Sequence, residues 1–163
     1  MASVKGAYLK HIRYDDSTIE RIDGYIEREK WGKEKWQEWI EEHLQETLYN
    51  VQKYVPFYKN YWSSNRQSYE ILDNWPIITK QKINESPDRF IDSRYRRSKL
   101  YHDHTSGTTG TPLDIYLDYD SVKEQYALFE ARVKKKYGIK LHETWAIIGA
   151  QRVTDINRKK PPF

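Results

Sequence analysis

The sequence predicts an α/β fold, and three observations carry that reading. Apolar residues recur at helical spacing through the first third of the chain. Leu113, Ile115 and Leu117 alternate with Asp114, Tyr116 and Asp118, the period of a half-buried strand. A second helical stripe follows, and then the apolar run Trp145–Ala150, so residues 113–150 read as strand, helix, strand. Two regions are expected: a helical one over 1–65, and a mixed one over 66–163.

Residues 1–17 show no clear periodicity and are expected to be a loose lead-in. Ile19, Ile22 and Ile26 then mark a helix between Thr18 and Trp31. Trp36, Ile40, Leu44, Leu48, Val51 and Val55 follow at steps of 4, 4, 4, 3 and 4, one face of a long helix over about 33–55. Pro56 ends it, because the residue before a proline is pushed out of the helical region. The ridge Trp36, Trp39 and Tyr54 reads as packing surface. Residues 57–99 form a connector with short helical pieces, and Thr79 is placed to cap a helix from Lys80 to Asn84.

From Leu100 the pattern changes. Residues 100–105 read as a strand, 106–112 as a small-residue loop, and 113–118 as the second strand. Asp120 is expected to cap the next helix, with Val122, Tyr126, Phe129, Val133 and Tyr137 on its buried face. Gly138 is its stop, and Lys134–Lys136 complement the dipole of its last turn. A lone strand–helix–strand unit cannot cover both faces of its sheet. Tyr116, Trp145 and Ile147 or Ile148 are therefore expected to be exposed.

Composition excludes several classes. The 163 residues hold no cysteine, which removes disulfide scaffolds, thiolate zinc sites and thiol nucleophiles. No run nears the ~18 apolar residues of a membrane span, and the first residues lack a signal-peptide core. A cytoplasmic location is the resulting expectation. Lysine and arginine number 28 against 24 acidic residues, for a net charge of +4. Charged residues make up 32%, against about 25% in ordinary globular chains, so there is little core for the surface. Aromatic residues at 15% argue against a wholly disordered chain.

The segment with the clearest chemistry is Thr105-Ser106-Gly107-Thr108-Thr109-Gly110-Thr111-Pro112. Five of the seven residues from 105 to 111 bear hydroxyls and the other two are glycine. Glycine lets backbone N–H groups approach a ligand, successive N–H groups make a concave anion site, and hydroxyls add donors. The reading is a clamp for phosphate or pyrophosphate. It is not a Walker A loop: counted from Gly107, the second glycine would fall at Pro112, and no Lys-Ser/Thr pair follows.

His104-Thr-Ser-Gly-Thr-Thr-Gly-Thr-Pro-Leu113 resembles the phosphate-binding signature of the adenylate-forming (AMP-binding) ligases. The flanks are similar to the phenylacetate–CoA ligase and CapK-like branch, the latter linked to capsular polysaccharide biosynthesis. They are Leu48–Tyr58 with its Val-Pro-Phe-Tyr ending, Trp75-Pro-Ile-Ile-Thr-Lys80, and Gly149–Val153 followed by Lys159–Phe163. The resemblance covers about residues 35–163. It implies that 66–163 begin an adenylation domain, with a β-hairpin around the phosphate loop and then the strand–helix–strand unit. It further implies ATP, Mg and coenzyme A as cofactors, and a nucleotide and a carboxylic acid as substrates. The implied nucleotide contacts are Thr105, Ser106, Gly107, Thr108, Thr109, Gly110 and Thr111, with the two glycines supplying flexibility. Leu113 stands where many members have a basic residue, as in the phenylacetate branch.

Other family motifs have no counterpart. No aromatic-Gly-x-Thr-Glu is found, since Tyr137-Gly138 is followed by Ile-Lys-Leu; the ribose-binding aspartate and the late lysine are also missing. The expectation is an N-terminal fragment, inactive alone, that needs the rest of the enzyme. A non-catalytic split fragment completed by a partner chain is the alternative. A nucleic-acid module resting on Arg94-Tyr-Arg-Arg-Ser-Lys99 is the weaker reading, because the net charge is small, and no nucleic-acid or membrane partner is expected. His102 and His104 share a strand face, but no third ligand has clear spacing for a metal, and none is assigned.

Overall fold

A computed structural model describes residues 4–105, 112–141 and 143. It is helix-rich, with one small antiparallel sheet. Packing divides the chain into two units that do not follow sequence order. Among the described residues, 4–30 associate with 118–141, and 31–105 with 112–117 form the other unit.

In the first unit, α1 (Val4–Arg13) and α2 (Asp16–Arg28) pack against α6 (Tyr119–Phe129), which runs on through a π-helical turn, Glu130–Lys134, and a 3₁₀ turn, Lys135–Tyr137. The expectation of a loose lead-in is corrected by α1. Lys10, His11 and Arg13 suit its C-terminal dipole. Burial of Ile12 supplies the tertiary contact that weak periodicity could not announce. A capping box starts α2. The Asp15 carboxylate accepts from the Thr18 N–H at 3.1 Å, and the Thr18 hydroxyl accepts from the Asp15 N–H at 3.3 Å. Thr18 is fully buried, and its hydroxyl donates to the Arg13 carbonyl at 3.1 Å, which closes the α1–α2 corner.

Two details of α6 differ from expectation. Its cap is Asp118, two residues before Asp120, accepting from the Ser121 N–H at 2.6 Å. Its buried face is Val122, Ala127, Glu130, Ala131 and Lys134, while Val133 and Tyr137 are exposed. Small alanines let Ile22 of α2 come close, and the wider π turn shifts the phase of everything after residue 130. The expected stop is present: Gly138 adopts φ 72°, the left-handed conformation that favours glycine at a helix end. The expected strand at Trp145–Ala150, and with it the closing half of the strand–helix–strand unit, lies outside the described residues.

The second unit is built from near neighbours in sequence. Helix α3 (Lys33–Tyr54) ends at Val55, extended at φ −91° and ψ 115°, and Pro56 opens α4 (Pro56–Ser64) at its first turn. Leu48, Val55 and Phe57 are buried at this corner. Phe57 stacks on Phe90 at 4.6 Å between centroids, and Trp75 meets Tyr58 at 5.0 Å and Trp62 at 5.3 Å. The long helix is therefore as expected, but its stripe is not a continuous core. Leu48 is the buried residue of α3 and Ile40 is 54% exposed, because α4 folds back along the C-terminal half. In the N-terminal half the rings pack along the helix instead, from Trp31 to Trp36 to Trp39 to His43. Short helices follow at Leu72–Asn74, Lys80–Glu85 (α5), Pro87–Phe90 and Arg97–Lys99, leading to β1 (Tyr101–His104) and β2 (Asp114–Leu117).

Candidate functional site

The candidate site is the turn between β1 and β2. These strands pair directly, antiparallel, with Tyr101 opposite Leu117, His102 opposite Tyr116, Asp103 opposite Ile115, and His104 opposite Asp114. Two further bonds close the neck of the loop. The Thr105 N–H donates to the Leu113 carbonyl at 3.0 Å, and the Leu113 N–H donates to the Thr105 hydroxyl oxygen at 3.0 Å. A hydroxyl keeps its own proton after accepting one bond. Thr105 thus fixes the base of the loop and can still donate.

Of the seven expected nucleotide contacts, the structure describes Thr105. Ser106, Gly107, Thr108, Thr109, Gly110 and Thr111 lie outside the described residues.

The loop's exit is tied to a second element. The Asn84 side-chain amide donates to the Pro112 carbonyl at 3.0 Å. Asn84 sits on α5, whose first turn is capped as expected: the Thr79 hydroxyl accepts from the Lys82 N–H at 3.3 Å. The Trp75–Lys80 segment is therefore linked to the loop through a six-residue helix. The Leu48–Tyr58 segment joins the same framework through Phe57 on Phe90, and through the Ser93 N–H donating to the Tyr54 carbonyl at 2.8 Å. Three segments separated in sequence thereby come together. Asn84 was not foreseen, and only its place three residues before a proline-led turn could have hinted at it.

One face of the hairpin is polar. His102 lies parallel to the Tyr116 ring, 5.0 Å between centroids, and its Nε2 is 2.8 Å from an Asp114 oxygen. Arg97 donates to the Tyr116 hydroxyl and pairs with Asp88 at 3.2 Å. The Tyr116 hydroxyl, more than Asp88, raises the Arg97 pKa further above its ordinary value. Tyr116 is half-buried by these neighbours rather than exposed. In the basic patch, Arg94 is held by Asp92 at 2.6 Å and lies 4.0 Å over the Tyr54 ring. The Arg94 hydrogen bonds lower the Asp92 carboxyl below its ordinary value, with burial opposing. Two of the patch's cations are thus committed to neighbours within the chain. Among the described residues, no three histidine or carboxylate side chains group to hold a metal ion, and no helix is long and apolar enough to cross a membrane.

Comparisons with protein-family models, with characterised proteins and with solved structures found no match to this chain.

Proposed function

We propose that this chain supplies the ATP phosphate-binding portion of an adenylate-forming ligase of the phenylacetate–CoA ligase and CapK-like kind, working in carboxylate activation. The observation that carries the reading is the ordered sequence Thr105–Pro112 at the end of an antiparallel hairpin with a doubly bonded neck. A loop rich in N–H and hydroxyl donors, on a fixed base, suits a ligand whose negative charge shifts during reaction. In adenylation a carboxylate oxygen attacks the α-phosphorus and pyrophosphate leaves. Donors directed at the departing phosphates lower that barrier. Thr105 holds the base, Asn84 holds the exit through Pro112, and Ser106, Thr108 and Thr109 are the phosphate contacts. The described residues do not by themselves make a Mg site, so Mg enters this reading with the nucleotide phosphates. Because the aromatic-Gly-x-Thr-Glu motif has no counterpart in the sequence, the chain alone binds nucleotide phosphates without turnover. The thioester step to coenzyme A and the choice of acid belong to the whole enzyme.

Calorimetric titration with Mg-ATP and with pyrophosphate tests this. The wild-type chain binds both, and the triple variant Ser106→Ala, Thr108→Val, Thr109→Val binds at least ~10-fold more weakly, since several charge-assisted bonds are lost. Pyrophosphate release with a panel of aryl and acyl acids stays at background. Equal binding by wild type and variant removes the reading; steady turnover removes the claim that this chain is catalytically incomplete.

A further inference from the structure

We draw no further inference here: the strongest candidate, the apolar groove of the first unit along α6 and its π-helical turn, where Leu128 and Val133 lie exposed, carries nothing because nothing in the structure shows what covers it.

Discussion

The two units solve the same problem by opposite means. The first joins segments 99 to 116 residues apart, with Arg21 on Asp120 and Tyr14 on Glu130. Its apolar contacts are small, centred on Ile22, Ala127 and Ala131, and charge surrounds them: Lys123 with Asp15 at 2.6 Å, Arg132 with Glu29 at 3.1 Å, Lys135 with Asp23 at 3.2 Å. The second unit packs aromatic rings from neighbouring stretches, such as Phe57 on Phe90 and Trp62 on Trp75. Exposed ion pairs are each worth only about 0–1 kcal/mol, whereas buried rings contribute several. Specific pairing therefore defines the first unit, and burial of area defines the second.

The largest expected effect breaks the first unit at its buried pair. Lys134→Met leaves the Glu130 carboxylate buried and unpaired and costs about 4 kcal/mol. Adding Glu130→Leu restores most of that loss. Hydrogen exchange of α2 and α6 amides checks both. If Lys134→Met leaves their protection unchanged, the pair is not what closes this unit.

Next comes Phe57→Ala, which removes a buried ring from the second unit and costs about 3 kcal/mol. The loss should appear in the exchange of α4 and the C-terminal half of α3, and leave α2 and α6 as they were. A uniform loss across both sets would contradict the contrast between them.

A smaller effect separates the two candidate caps of α6. Asp118→Ala costs about 1 kcal/mol in a denaturant melt, while Asp120→Ala leaves the cap in place and loses an exposed pair with Arg21. Equal costs would return the cap to Asp120.

The mildest test uses pH. Burial and then the bond to Glu124 raise the Tyr25 hydroxyl from 10.0 to about 12. A raised folded pKa favours the protonated form. The stability it contributes is present below pH ~10 and lost as pH rises through about 12. Phenolate absorbance should show Tyr25 titrating late, and Tyr25→Phe should flatten the alkaline decline of first-unit protection over that window. A decline of the same size in the variant would assign the loss to other groups.

Legibility follows the same division. In the second unit the long helix, its end at Pro56, the Thr79 cap and both strands could all be read, because each is written in adjacent residues: a 3.6-residue stripe, a proline, a hydroxyl before a helix, an alternation. The bonds of Thr105 with Leu113 and the tether of Pro112 to Asn84 required the fold. In the first unit α1 escaped notice, since Val4–Arg13 has little stripe of its own and gains its stability from α6. The buried face of α6 was assigned to its large residues, whereas the alanines face α2 because only they allow Ile22 so near.

What the sequence determined by itself was local: the long helix and its stop at Pro56, the Thr79 cap, the stop at Gly138, and which segments are extended. Capping, proline geometry and side-chain periodicity act within a few residues, so they survive without a partner. What only the tertiary structure decided was pairing at a distance. Residues 4–30 close on 118–141, Lys134 becomes half of a buried pair instead of a surface cation, and Glu130 takes the Tyr14 hydroxyl from across the unit. Those outcomes depend on desolvation and on which atoms meet across α2 and α6, and neither is encoded in the spacing of residues along one helix.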